Sequence, residues 1–272
     1  MTDMRRIGVV LCLFPLLLAT ACSGGKKDAG LVQQPAPVAK MYDKAAAELQ
    51  DGEYSEAAKG FNDVEQNYPY SEWATRAQMM AAYAYYKSLK YDDAVMALDQ
   101  FIELHPGDPS VAYAYYIKAL CYYEQISDVQ RDQQMTQKAL AALRQVRERF
   151  PDTPYARDAD LKIDLTLDHL AGKEMEIGRY YLNHQDYQAA INRFETVVTQ
   201  YQTTTQVPEA LERLVEAYTA LGIKAQALKS AAILGQNFPQ SQWYRNAYKI
   251  VGPQAPAPAP NSVYDKTLGK IF

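Results

Sequence analysis

Five times along the chain an alanine stands twelve residues before the second position of a common landmark, and no other feature constrains the fold as tightly. The landmarks are Tyr68-Pro69, His105-Pro106, Phe150-Pro151 and Phe238-Pro239, with Tyr201-Gln202 as a degenerate member. The alanines are Ala57, Ala94, Ala139, Ala190 and Ala227. Four residues after each come Phe61, Leu98, Leu143, Phe194 and Ala231, and three further on come Val64, Phe101, Val146, Val197 and Leu234. With the aromatic or histidine before the landmark proline, this is an apolar stripe at i, i+4, i+7, i+11, the spacing of one face of a helix. Each unit therefore ends in an amphipathic helix, closed by a proline that a helix does not continue through.

A second helix precedes it in each unit. Tyr54, Tyr91 and Tyr187 stand three residues before their alanines, where Thr136 and Lys224 depart from the pattern, and Gly52 and Gly222 mark the turn two places earlier. A small residue followed three later by tyrosine recurs as Ala82/Tyr85, Ala119/Tyr122, Gly178/Tyr181 and Val215/Tyr218. In this order the markers resemble the tetratricopeptide repeat of about 34 residues. Spacings of 37, 45, 51 and 37 between the alanines leave room for an insertion at 127–134 and one long helix over 154–184. From Met41 to about Val251 no strand alternation appears and helix formers dominate. The expectation is an all-α, tetratricopeptide-like solenoid of about five helix-turn-helix repeats over 41–251, whose units bury their stripes by stacking.

The two ends carry different signals. Arg5 and Arg6 precede an apolar run from Ile7 to Leu18 that is too short, and too near the start, for an ordinary spanning helix. Ala19, Thr20 and Ala21 before Cys22 resemble a bacterial lipobox, with Leu18 one place earlier than the usual leucine. Residues 1–21 are expected to form a lipoprotein signal peptide. Cys22 is then the lipid attachment site, bearing N-acyl and S-diacylglycerol groups and implying no other cofactor; the second reading is a cut before an ordinary cysteine. Several acyl chains, at about 0.8 kcal/mol per buried methylene, hold such a protein on a membrane it does not span. Ser23 is compatible with delivery to the outer membrane, so the expected place is its periplasmic face. Residues 22–40 read as a flexible lipid tether, with an r.m.s. span of about 23 Å. At the other end, 252–272 reads as a Pro/Ala-rich linker, "PQAPAPAP", and a docking segment whose Leu268, Ile271 and Phe272 suit a partner or the protein's own groove.

Charge and inventory exclude several classes of function. Without residues 1–21 the chain has 26 basic and 31 acidic residues, so a nucleic-acid footprint is absent. Only Cys121 remains besides Cys22, and in "IKALCYYEQI" it reads as a small buried apolar side chain. Of three histidines, His105 fills an aromatic place of the repeat, while His169 and His184 lack metal-ligand spacing. No nucleophile motif or phosphate-cradling glycine loop appears, so neither catalytic residues nor a metal site can be named. Asp160, Asp164 and Asp168 fall on one helical face, where like charges need an offset such as Arg144 or Arg147 of the preceding helix, or a basic partner.

The richer feature is aromatic. Among 22 tyrosines, "AAYAYYKSL" and "AYAYYIKALCYYEQ" place more on two successive first helices than a core needs. Offset from the core tyrosines, Met79, Tyr83, Tyr86, Tyr113, Tyr116 and Tyr123 are expected to line a groove for an extended, aromatic-bearing peptide; the alternative for the same residues is thick interhelical packing.

"RDQQMTQKALAALRQVRERFPDTPYARDA", "LAGKEMEIGRYYLNHQDYQAAINRF", "VPEALERLVEAYTALG" and "NFPQSQWY" go beyond a generic repeat. Together with the lipobox they resemble the BamD family, tetratricopeptide lipoproteins of the outer-membrane β-barrel assembly machinery. That resemblance implies a scaffold without catalysis. C-terminal repeats would bind the barrel subunit BamA beside other assembly subunits, and N-terminal repeats would receive C-terminal segments of unfolded outer-membrane proteins. Arg193 matches a family position on the BamA-facing side, with a structural ion pair as the other reading. Gln202 and Thr136 depart from the repeat pattern and put local geometry in question. The competing function class is a periplasmic tetratricopeptide adaptor of a cell-wall or Tol-type envelope complex.

Overall fold

The structure, a computed structural model, describes residues 37–252. The expected signal segment, Cys22, most of the expected tether and the tail beyond Gly252 lie outside the described residues. Within them there are eleven helices and no strand. They are α1 (Val38–Gln50), α2 (Tyr54–Asn67), α3 (Glu72–Lys87), α4 (Tyr91–Leu104), α5 (Val111–Tyr123), α6 (Gln134–Arg149), α7 (Pro154–Asn183), α8 (Tyr187–Gln200), α9 (Val207–Ala220), α10 (Lys224–Asn237) and α11 (Gln242–Val251). Five pairs, α1/α2 to α9/α10, are the five repeats, and α11 follows them as a first helix with no second among the described residues. The fold is an all-α tetratricopeptide-like solenoid. Its first helix starts at Val38, three residues before the expected boundary, directly after Pro37.

Every helix packs on the next, and α1, α3, α5 and α7 also touch in succession, as do α9 and α11. The repeat markers are what is buried: the five alanines, the residues four and seven places on, and no other class so uniformly. The residues before the landmarks, Tyr68, His105, Phe150, Tyr201 and Phe238, are all helix C-caps with φ between −124° and −137° and ψ between 44° and 56°. Proline disfavours the helical region for the residue before it. Tyr201 adopts the same conformation without a proline, so Gln202 leaves the geometry intact. Thr136 is likewise accommodated, buried with its hydroxyl donating to Gln133 Oε1 at 2.9 Å.

The turn inside a repeat needs one left-handed residue. Gly52 and Gly222 supply it with φ of 85° and 75°, while Leu89 and Gln185 occupy the equivalent place at 61° and 64°. A side chain there is strained by roughly 1–2 kcal/mol. The α5/α6 pair is joined instead by the inserted loop, which is tied down where Lys173 Nζ donates to the Gln130 carbonyl at 3.0 Å.

Helix α7 spans 30 residues, about 45 Å. Its first half, through Ala159 and Ile163, joins the core of α3–α6, and its second, through Ala171 and Met175, joins the core of α8–α11. Gly178 allows α8 to approach: a Cβ there would lie 2.4 Å from the Phe194 ring. Among the described residues no helix is long and apolar enough to cross a membrane.

Candidate functional site

Six tyrosines form a continuous chain of rings across four helices. Tyr91 of α4 lies 6.1 Å from Tyr86, Tyr86 lies 6.4 Å from Tyr83 on the same α3, and Tyr83 lies 6.3 Å from Tyr113 of α5. Tyr155, at the start of α7, closes the series at 5.4 Å from Tyr113 and 5.2 Å, stacked, from Tyr116. The local cause is helical spacing: Tyr83/Tyr86 and Tyr113/Tyr116 each stand three apart on neighbouring first helices, and contact between those helices brings the pairs together. All six are partly exposed. Met79, expected on the same surface, is not: it is 6 % exposed and packs with Ala82, Ala94 and Leu98. It shares one face of α3 with Tyr83 and Tyr86 at i, i+4, i+7 but lies a turn nearer the helix start, inside the packed cluster.

Burial pushes the phenols of Tyr86 and Tyr113 up to about 12. Tyr116 is raised as well, first by burial and then by its bond to Asp158, whose Oδ2 accepts from the hydroxyl at 2.6 Å. These hydroxyls stay protonated, and so able to donate, across physiological pH. Burial of Asp158 opposes its charge, but Tyr116 and Lys162 outweigh that and hold its carboxyl below the usual range. Lys162 Nζ sits 2.9 Å from Asp158 and 5.4 Å from the Tyr123 ring centroid, which connects Tyr123 to the series. Tyr155, Asp158 and Lys162 were not found by sequence reasoning. They lie one repeat further along the chain, behind the insertion, where no local spacing signals contact with α5.

The C-terminal repeats have a charged junction in place of an aromatic one. Arg213 on α9 is 2.8 Å from Glu216, 3.5 Å from Glu209 and 3.5 Å from Glu212. Arg179 of α7 reaches Glu209 at 3.1 Å, and the Arg213 guanidinium lies 5.6 Å from the Trp243 ring of α11. Glu212 is 2 % exposed. Burial first, then the charge of Glu216, raises its carboxyl to about 7. This group, too, was missed, because glutamate in a helix reads as surface.

Arg193 on α8 pairs with Glu174 of α7 at 3.1 Å and keeps two-fifths of its side chain exposed. Two aspartates of the stripe are offset internally: Asp160 faces Arg147 at 3.7 Å, and Asp168 Oδ1 accepts from the Thr205 amide at 2.8 Å and its hydroxyl at 2.6 Å. His105 pairs with Gln78 Oε1 at 2.7 Å. Cys121 is buried, its thiol pushed up to about 12 by that burial. Among the described residues no cluster of three or more His, Cys, Asp or Glu could hold a metal ion.

Residues 34–234 match the family described as YfiO, outer membrane lipoprotein. The outer membrane protein assembly factor BamD of Caulobacter vibrioides is 48 % identical over 238 residues, covering 88 % of this chain and 78 % of that one. That of Rickettsia prowazekii is 45 % identical over 242 residues, covering 88 % and 96 %. Among solved structures, a kinesin light chain with nearly identical TPR-like repeats from Podosopora anserina matches at 19 % identity and a TM-score of 0.33, covering 72 % of this chain and 92 % of that one.

Proposed function

The chain belongs to the BamD family of outer-membrane protein assembly factors, and from that premise we propose that it is a non-catalytic scaffold that holds two kinds of polypeptide at its two ends. The tyrosine series of α3, α5 and α7 is the client end. It receives C-terminal segments of unfolded outer-membrane proteins in extended form. The C-terminal repeats, with Arg193 on their surface, hold the barrel subunit BamA among the other assembly subunits. Cys22 carries the acyl chains that keep the protein on the periplasmic face of the outer membrane.

One observation carries this reading: six partly exposed tyrosines in ring contact, five of them on first helices that touch one another and Tyr91 on α4. Rigid aromatic rings offer a large contact area with few torsions to freeze, and protonated hydroxyls donate to the carbonyls of an extended chain. The acidic Asp158 beside them is already satisfied by Tyr116 and Lys162, so it does not repel a client backbone.

Site-specific photo-crosslinking at Tyr86, Tyr116 and Arg193 in cells tests the assignment. Tyr86 and Tyr116 should capture unfolded barrel proteins, and Arg193 the barrel subunit. Capture of the barrel subunit at Tyr86, or of cell-wall or Tol-type proteins at all three, overturns it.

A further inference from the structure

We propose that the cavity beside Trp243 is the docking site of this chain's own segment 261–272. The cavity measures about 390 Å³ and is lined by Pro208 at the start of α9, by Phe238, Pro239 and Gln240 after α10, and by Ser241, Gln242 and Trp243 at the start of α11. None of these side chains is charged. Three consecutive amide or hydroxyl side chains lie between Phe238-Pro239 and Trp243, a lining suited to an apolar peptide whose backbone still needs hydrogen-bond partners.

The first repeat shows what the last one lacks beside this tryptophan. Residues 38–82 and 208–252 align without a gap, 170 positions apart: Gly52 with Gly222, Ala57 with Ala227, Pro69 with Pro239, Ser71 with Ser241, Trp73 with Trp243. In the first repeat, Tyr42 lies 5.0 Å from the Trp73 ring and 5.2 Å from Phe61. Their counterparts are Glu212 and Ala231, which offer Trp243 no ring. Trp243 is flanked by Arg213 and lines the cavity.

The occupant follows from reach and from composition. Helix α11 has ten residues, so about 15 Å separate Gly252 from Trp243. The eight residues 253–260, "PQAPAPAP", favour polyproline geometry and span about 25 Å. That length is enough for residues 261–272 to reach the start of α11, and Leu268, Ile271 and Phe272 are the side chains that would fill an apolar site. A contact so tethered works at an effective concentration of the order of millimolar, so a weak intrinsic affinity suffices.

The chain has two tryptophans, so Trp73→Phe in the mature full-length protein in detergent leaves Trp243 as the reporter; a Trp243→Phe control identifies the responding ring should Trp73→Phe unfold. Deleting 261–272 should shift Trp243 emission to the red and increase its quenching by acrylamide. A synthetic 261–272 peptide added to the deleted protein should reverse both with saturation, and the same peptide with Leu268, Ile271 and Phe272 changed to serine should not. The proposal is overturned if deletion changes neither signal or if the two peptides act alike. It is equally overturned if quenching in the full chain depends on protein concentration, which assigns the cavity to a second copy, or if only added barrel subunit protects Trp243.

Discussion

The first and last repeats share one backbone frame and put opposite chemistry into it. In both, a serine caps the third helix by accepting from the amide three residues on, at 3.1 Å for Ser71 and 3.0 Å for Ser241, and a glycine turns between the first two. Yet Tyr42, Phe61 and Ala74 of the first repeat become Glu212, Ala231 and Tyr244 in the last. Aromatic mass moves from α1 and α2 to α11, where Gly235 makes way: a Cβ on Gly235 would lie 2.5 Å from the Tyr244 ring. The space left near α9 takes a buried carboxylate and its arginine. Polarity changes while the backbone frame does not, which is how one solenoid presents unlike surfaces at its two ends without changing its stacking.

The largest way to break the comparison is to exchange the bulky residue. Phe61 is fully buried, so Phe61→Ala should cost about 3–5 kcal/mol, while the mirror change Ala231→Phe should cost about 1–3 kcal/mol by overpacking. Urea unfolding of the two variants checks both magnitudes. Equal small losses would mean that the repeats are not independently packed.

The buried acid comes next. Glu212 has its carboxyl at about 7 in the folded protein against 4.5 when free. Below 4.5 it is neutral in both states and costs nothing. Between 4.5 and 7 the unfolded chain releases the proton while the folded chain keeps it, so stability falls as pH rises, and above 7 the whole cost remains. Glu212→Gln should therefore change little at pH 4 and stabilise by about 3 kcal/mol at pH 8. Denaturant midpoints at the two pH values give the answer. The first repeat has Tyr42 at this place and should show no such dependence from it.

The smallest effect lies in the turns. Leu89 is 70 % exposed and left-handed, so Leu89→Gly should raise stability by about 0.5–1 kcal/mol, and Gly52→Ala should lower it by about 1 kcal/mol. Thermal midpoints moving in opposite directions would sharpen the equivalence of the two positions.

Much of the architecture was legible because the apolar stripe and the small residues recur at fixed distances, and burial follows such spacing without reference to the rest of the chain. The long α7 and the insertion before α6 were readable from the same ruler, as irregularities in it. The tyrosine surface was legible in part: Tyr83, Tyr86, Tyr113 and Tyr116 were found from an excess of rings, but Tyr155 was not, since its contact with α5 depends on how α7 settles behind a ten-residue loop. Met79 shares a helical face with Tyr83 and Tyr86 yet is buried, because spacing along a helix does not reveal where along that face a neighbour covers it. The Arg213 junction left no trace at all, since i, i+3 and i, i+4 charges on α9 are what an exposed helix face also shows.

The order of residues by itself determined helical pairs, their number, where each turn falls and which stripe is hidden, since those depend on local torsion and on a period of 3.6. Only the tertiary structure decided which tyrosines meet, that Glu212 is dry while Asp160 is wet, and that a cavity opens beside Trp243 but an aromatic neighbour closes on Trp73. Those outcomes hang on distances between helices of the same or neighbouring repeats, and there a side chain's environment is set by what its neighbours leave unfilled.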